Sequence, residues 1–458
     1  MLSTEVPMRA INPTTEELIA EFPDHTNDEV VERLNAAREG FERWRHTPIV
    51  ERARHFRLLA EELRRGISHL SRRMTDEMGK PIAQARAEVE KCAWACEYFA
   101  DHAGTLLEAR HIETEASDSY VTYEPLGVVL AIMPWNFPLW QVFRFAAPAM
   151  MAGNVALLKH ASSTPGCARD IVELFDAAGF PPGTFQHLFI SNRKTEELIR
   201  HSDVAALTLT GSTRAGRQVA SIAGESLKKC VLELGGSDPF VVLADCDLER
   251  TVEKAVQGRF QNNGQSCIAA KRFIVEEAIY DAFIARFKSA IEALKVGDPH
   301  DEAIDVGPMA RKDLRDELHK QVKRSLRQGA RCLVGGEPLD RPGYFYAPTL
   351  LVDVTPEMPA FAEETFGPVA AVVRARDTDE AIGLANTSNF GLGASIWTSR
   401  SRGHNLVGRL RAGFVAVNEI VKSDPRLPFG GIKDSGFGRE LAAEGIHEFT
   451  NIKTIYVA

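Results

Sequence analysis

Cysteine is sparse and unpatterned: seven residues in 458, at positions 92, 96, 167, 230, 246, 267 and 332, with no Cys-x-x-Cys pair among them. An odd number without paired spacing makes no disulfide framework and suits reduced thiols in the cytoplasm. Long apolar runs are also missing. No stretch approaches the roughly 18 uninterrupted apolar residues of a membrane-spanning helix. The opening MLSTEVPMRAINPTTEE has no basic region followed by an apolar one, so neither a membrane nor an export route is expected. Basic clusters are lacking as well. The formal net charge is -9 and the lysines and arginines are dispersed, which excludes the electrostatic footprint of a nucleic-acid partner. There is no internal repeat and no low-complexity linker, and no metal site is expected.

What is present is enough chain for roughly three domains of ordinary size. A polar arm is followed by a helical layer. Thr26 to Glu29 has capping-box spacing, and Val30, Val31, Leu34, Ala37, Phe41 and Trp44 follow at helical intervals. Two more helices are predicted over 50–77 and 82–103, with Gly79 and Pro81 between them. The stretch from Ile112 to Pro125 alternates like a strand. From Gly127 the pattern becomes strand, helix, strand repeatedly, through VVLAIM, VALLK, FQHLFI, AALTLTG and CVLEL. Continuous apolar strands alternating with helices predict an α/β fold with a parallel, doubly wound sheet, which binds ligands beyond the carboxyl ends of its strands. A second such unit runs from PFVVLA through RFIVEE, APTLLVDV, AAVVRA and GFVAVNE, and the chain ends on an apolar strand, TIYVA.

Four places carry candidate chemistry. Cys267 sits in GRFQNNGQSCIAAKRF, where Gly264 with Asn263, Gln265 and Ser266 suits a tight loop that presents a thiol to a cleft; the plain alternative is a buried structural cysteine. Glu233 lies on the apolar strand of KCVLELGGSDP, either as an edge glutamate facing water or at a strand end facing a cavity. GSTRAG places Gly211 and Gly216 at a helix start able to hold a phosphate, or forms an ordinary turn. Arg144, in VFRFAAPAM, is costly among apolar neighbours unless it meets an anion, which is either a ligand or an internal salt-bridge partner.

The pair LELGG and GQSC, with Glu233 and Cys267 34 positions apart, resembles the NAD(P)-dependent aldehyde dehydrogenases. PWNFP (134–138), LTGST (209–213), EETFGP (363–368) and PFGGIKDSGFGRE (428–440) extend the resemblance along nearly the whole chain. It implies two doubly wound α/β domains plus a small β oligomerisation domain. Cofactor binding is then expected over 1–108 and 124–233, catalysis over 234–432, and oligomerisation over 109–123 and 433–458, with a homodimer or dimer-of-dimers tetramer. In that family the terminal strand is exchanged between subunits.

The resemblance also implies site residues. Cys267 is the nucleophile, Asn136 and the Cys267 backbone N–H receive the oxyanion, and Glu233 is the general base that activates the thiol through water and then hydrolyses the thioester. Cofactor contacts are expected from Trp135, Lys159, Ser162, Gly211, Ser212, Gly216, Glu364 and Phe366. At position 162 NAD-preferring members commonly carry glutamate, which repels a 2′-phosphate; serine removes that repulsion, so NADP is the expected preference with NAD still accepted. The chain looks most like bacterial succinate semialdehyde dehydrogenases, in which an arginine at the place of Arg144 holds the substrate's distal carboxylate. A second arginine of that pattern is replaced by Gln261, with Ser423 as another contact and Arg426 as a compensating cation. Glutarate semialdehyde or a general aliphatic aldehyde is the alternative substrate. A coenzyme A acyl-transferring relative generally lacks the glutamate found at Glu233, and a noncatalytic structural protein of the same fold would not need Cys267, Glu233 and Asn136 together.

Overall fold

A computed structural model describes residues 7–458; the beginning of the predicted polar arm, residues 1–6, lies outside them. The first long helix, Asn27–Trp44, starts as its sequence predicts: Glu29 N–H donates to the Thr26 hydroxyl at 3.2 Å and Thr26 N–H to the Glu29 carboxylate at 2.7 Å. The helix expected over 50–77 is instead two, Ile49–Arg65 and Ile67–Met78, separated at Gly66. Glycine is the weakest ordinary helix former, and here it ends one axis and begins another. Gly79, at φ 75°, closes the second before Ile82–Leu106 begins.

The first sheet has six strands in the order Gly436–Phe437, Lys229–Glu233, Val204–Thr210, Val128–Met133, Val155–His160, Phe185–His187. All neighbours are parallel except the first pair. Chain order runs outward in both directions from Val128–Met133, so the crevice between that strand and Val204–Thr210 is the topological switch point. Two segments depart from their patterns. FQHLFI pairs only over Phe185–His187, because Phe189 then turns its carbonyl to His25 N–H at 2.7 Å. Gly436–Phe437, inside the 433–458 stretch expected to serve oligomerisation, adds to this sheet beside Glu233.

The second sheet has seven strands, from Arg331–Val334 and Thr349–Val352 through Val369–Ala375, Ala270–Glu276, Asp238–Val242 and Gly393–Trp397 to Phe414–Val417. Only its first strand is antiparallel. Ala270–Glu276 is buried at every residue, as a central parallel strand must be. A third, antiparallel sheet joins Thr450–Val457 to Asp118–Pro125 and Arg110–His111 of the same chain. The alternation read over 112–125 thus becomes a ladder only from Asp118.

Between the first sheet and the helical layer lies Trp140–Met151, with all of its residues buried. A helix apolar on every face except at Gln141 and Arg144 has nowhere else to go, and Trp44 fixes it by donating its indole N–H to the Met150 carbonyl at 2.9 Å. This helix follows PWNFP directly and carries Gln141 and Arg144 toward the seam between the two large sheets.

Candidate active site

The Cys267 loop is shaped by three successive left-handed residues: Asn262 (φ 54°), Asn263 (φ 56°) and Gly264 (φ 71°). Glycine tolerates that conformation freely; asparagine tolerates it when its amide finds local partners. Both do. Asn262 Nδ2 donates to the carbonyls of Asn136 at 2.8 Å and Gln265 at 3.0 Å, and Asn263 Nδ2 to those of Gly79 at 2.8 Å and Pro308 at 2.9 Å. Two buried cations clamp the loop's own carbonyls. Arg259 donates to Gly264 O at 2.7 Å, and Lys271 Nζ donates to Ser266 O at 2.9 Å and Cys267 O at 2.7 Å. Gly264 therefore does not loosen this loop; it permits a turn that the amides and cations then hold.

Cys267 is partly exposed because two cavities meet at it. One, of about 240 Å³, lies at the carboxyl ends of the first sheet's strands and is lined by Trp135, Asn136, Gly211, Ser212, Gly235, Glu364 and Phe366. The other, of about 210 Å³, is bounded by Phe137, Trp140, Arg144, Gln261 and Ser423 with Lys91. Gln141 and Cys267 belong to both walls. Burial pushes the thiol up to about 12, against the pull of Arg144 and Lys271, so it is protonated at neutral pH in this arrangement.

On the first side, Asn136 gives one amide hydrogen to Gln265 O at 3.1 Å, which orients the side chain. Trp135 and Phe366 meet edge to face with centroids 5.7 Å apart. Glu364 accepts from Gly236 N–H at 2.9 Å and pairs with Lys271 at 3.3 Å; a Cβ on Gly235 would stand 2.5 Å from its carboxylate, so that glycine admits the close approach. Ser212 caps Thr213–Glu225, its hydroxyl accepting from Ala215 N–H at 3.3 Å. Gly216 is not at the cavity. It faces Leu234, where a Cβ would come within 2.5 Å of a side-chain methyl, and so serves helix-to-strand packing. Lys159 and Ser162 line a separate, wider cleft of about 930 Å³, with Lys159 Nζ 3.4 Å from Asn192 Oδ1 and its pKa lowered by burial.

Glu233 ends its strand, as expected, and is 2% exposed, yet it lines neither cavity at Cys267. Among the described residues neither carboxylate oxygen has a hydrogen-bond partner. Burial holds its pKa well above the usual range; Arg144 opposes and the nearby Glu440 adds to the shift. Arg144 is ion-paired with Glu440, both 2% exposed, and its Nη2 lies 3.4 Å from Thr210 Oγ1. The internal salt bridge left open by the sequence is therefore present, and the guanidinium's charge is already matched. Arg426 is corrected outright: it is exposed, pairs with Asp424 at 2.6 Å and lies over Trp94, away from the cavity. Gln261 and Ser423 do line it.

Residues that motif reading missed include Lys271, Arg259, Glu440, Gln141 and Lys91. For Lys271 and Arg259 the signal was a charge beside buried segments, as in the lysine and arginine near the start of the strand Ala270–Glu276, whereas Gln141 and Lys91 carried none.

Known proteins agree with this layout. A succinate semialdehyde dehydrogenase (NAD(P)+) of Escherichia coli is 51% identical over 98% of this chain and 97% of its own length. A succinate-semialdehyde dehydrogenase (NADP(+)) of Mycobacterium tuberculosis is 49% identical over 99% of this chain and the whole of that protein. The crystal structure of succinic semialdehyde dehydrogenase from Streptococcus pyogenes in complex with NADP+ superposes with a TM-score of 0.96 at 36% identity, covering 98% of this chain and 99% of that one. The aldehyde dehydrogenase family model matches residues 2–455. A thiol held at the mouth of a switch-point crevice, the motifs around it and these likenesses have one reading: the chain belongs to the aldehyde dehydrogenase family.

Proposed function

We propose that the protein oxidises succinate semialdehyde to succinate, with NADP preferred and NAD accepted. The observation that carries this is Cys267 at the meeting of two cavities, one against the cofactor-type crevice and one bordered by cations. The relatives' activities and their NADP or NAD(P) cofactors support the same reading.

The residues fit a dinucleotide. Gly211 and Ser212 bring the start of a helix, with its free amides, to the crevice, and Lys159 and Ser162 line the separate, wider cleft as cation and small neutral neighbour. The bound nicotinamide supplies a hydride acceptor. Everything else falls to the chain. Cys267 Sγ gives up its proton through water to ionised Glu233, which passes it to solvent, and adds to the aldehyde carbon to form a thiohemiacetal. The developing oxyanion takes hydrogen bonds from the Cys267 backbone N–H and the second amide hydrogen of Asn136, the first being committed to Gln265. After oxidation to the thioester, Glu233 takes a proton from the attacking water, and the carbon–sulfur bond breaks to return the thiol. Its raised proton affinity suits that task once it is ionised, so this half of the cycle should quicken as pH rises.

The second reading is an ordinary aliphatic or glutarate-type aldehyde on the same machinery. Appearance of reduced cofactor with succinate semialdehyde, glutarate semialdehyde and butanal decides between them. The proposal expects the highest kcat/KM for succinate semialdehyde with NADP and no requirement for coenzyme A; equal efficiency on butanal, or dependence on coenzyme A, contradicts it.

We place the protein in the cytoplasm and assign it a homo-oligomer, a dimer or a dimer of dimers. Seven unpaired cysteines support a reducing compartment. No helix among the described residues is long and apolar enough to cross a membrane. The strand Thr450–Val457 leaves Ile452 62% and Tyr456 53% exposed at a sheet edge, which favours pairing with another copy. Light scattering tests the assembly, and a monomer at working concentration contradicts it.

A further inference from the structure

The two oxyanion donors stand on separate elements. Asn136 lies in the segment between Val128–Met133 and Trp140–Met151, and the Cys267 N–H in the loop that follows the helix Leu248–Phe260. Donors on different elements act together only when something fixes one element against the other. The short turn Gly79, Lys80, Pro81, between the helices Ile67–Met78 and Ile82–Leu106, is tied to both. None of these three residues borders either cavity at Cys267.

Toward Asn136 the tie is an ion pair. Lys80, only 1% exposed, pairs with the buried Glu88 on the helix Ile82–Leu106. The other Glu88 oxygen accepts from the backbone N–H of Leu139 and of Trp140, both at 2.9 Å. These are amides at the start of Trp140–Met151, a helix whose own cap position, Leu139, has no side chain to serve them. A carboxylate there also faces the positive end of the helix. The Lys80 ammonium in turn lies 3.9 Å from the centroid of the Phe137 ring. Lys80 and Glu88 therefore grip Phe137, Leu139 and Trp140, the residues that directly follow Asn136.

Toward the nucleophile loop the tie is a carbonyl. Gly79 O accepts from Asn263 Nδ2 at 2.8 Å, and Asn263 is one of the left-handed residues that shape that loop. Gly79 has φ 75°, and a Cβ on it would stand 2.7 Å from the ring of Pro308, so only glycine lets the turn come this close. Adjacent residues of one turn thus reach the two halves of the oxyanion site. A buried ion pair is a weak device for stability, because apolar residues of similar volume often hold a fold as well or better. It does supply what an apolar pair lacks, a charged acceptor that fixes two amides in place.

We propose that Lys80 and Glu88 are positioning residues for the oxyanion site. Through the amides of Leu139 and Trp140 and the ring of Phe137 they hold Asn136 against the nucleophile loop, to which Gly79 ties the same turn. This rests on the reading that Asn136 and the Cys267 N–H receive the oxyanion.

A double-mutant cycle tests it, with succinate semialdehyde and NADP as substrates. Lys80→Met/Glu88→Leu removes both charges together, so no buried ion is stranded. In the wild-type background it should lower kcat roughly tenfold to a hundredfold, as when a donor is displaced by about an ångström, while the Kd for NADP stays unchanged. Asn136→Ala alone should lose about 100-fold to 1,000-fold. In the Asn136→Ala background the same two changes should cost less than about threefold, because the group they position is already gone. Lys80→Met/Glu88→Gln, whose amide oxygen still accepts from Leu139 and Trp140, should recover part of the loss, and it carries the cycle where the leucine variant does not fold.

An equal factor in both backgrounds, or an undiminished kcat in the wild-type background, overturns the assignment while the proposed activity stands. Failure of both paired variants to fold also overturns it, since the pair then serves the fold. Full turnover in Asn136→Ala overturns the oxyanion reading and the assignment together.

Discussion

The two cavities that meet at Cys267 are built in opposite ways. The wall on the crevice side comes mainly from residues immediately after parallel strands: Trp135 and Asn136 after Val128–Met133, Gly211 and Ser212 after Val204–Thr210, Gly235 after Lys229–Glu233. Its charged member, Glu364, is matched by Lys271. The wall on the other side is collected from a helix of the outer layer (Lys91), the buried helix (Trp140, Arg144), the nucleophile loop (Gln261) and a late loop (Ser423). There one cation is matched within the protein and another is not. A rigid strand-end wall suits a partner that is the same in every turnover. A composite wall can be altered one element at a time, which is where substrate choice is expected to reside.

The sharpest break in this picture is the residue common to both walls. Cys267→Ala should remove aldehyde oxidation altogether while leaving cofactor binding, measured by fluorescence titration, in place; residual turnover above background would mean the thiol is not the nucleophile. Glu233→Gln should come next. Hydride transfer should survive as a rapid burst of reduced cofactor, followed by a steady rate lower by about 100-fold or more, as expected when a general base is lost. In wild type the steady rate should climb with pH, because the carboxylate form of a group held well above its usual range appears only as pH rises. Equal steady rates in the variant and wild type would remove Glu233 from hydrolysis.

Arg144→Ala probes the matched cation. Removing one partner of a buried ion pair costs about 3–5 kcal/mol, and here it leaves Glu440 beside an already strained Glu233, so the midpoint of denaturation should fall clearly. KM should rise more for the semialdehyde than for butanal, because the guanidinium also lines the cavity beside Cys267; an equal rise for both would leave Arg144 a structural role only. The smallest effect is expected at the rim of the wide cleft. Ser162 is exposed, so a carboxylate placed there by Ser162→Glu acts through screened solvent, and NADP efficiency should fall about tenfold with NAD little changed. Undiminished use of NADP would move the selection elsewhere in that cleft.

The strand-end wall was legible in the sequence for a physical reason. Parallel strands read as continuous apolar runs, and whatever follows them is fixed at the crevice, so the strand ends carrying Gly211 and Glu233 could be placed from local pattern, while Asn136 was reached through the resemblance carried by PWNFP. Arg144 was legible as an anomaly, a charge in a buried helix, but not its partner, since Glu440 lies far along the chain and reaches the site only because Gly436–Phe437 joins the strand that ends at Glu233. The same holds for Arg259, whose partners include the backbone carbonyl of Thr365 at 3.3 Å. Carbonyl oxygens carry no residue signature, so no motif could announce them. Lys91 looked like one more solvated lysine on an amphipathic helix until Trp140 and Ser423 closed over it. Gly66 and Gly216 were visible as glycines, yet their uses, a helix break and a close approach to Leu234, depend on neighbours that only the packed structure supplies.

The central claim is that Cys267 carries the acyl group between the two cavities and Glu233 releases it. Mass spectrometry of Glu233→Gln, quenched after mixing with NADP and succinate semialdehyde, tests it directly. The account predicts one succinyl group per chain, located on the peptide bearing Cys267 and absent when NADP is omitted. Acylation at another of the seven cysteines, or an unmodified chain after the burst of reduced cofactor, would contradict it.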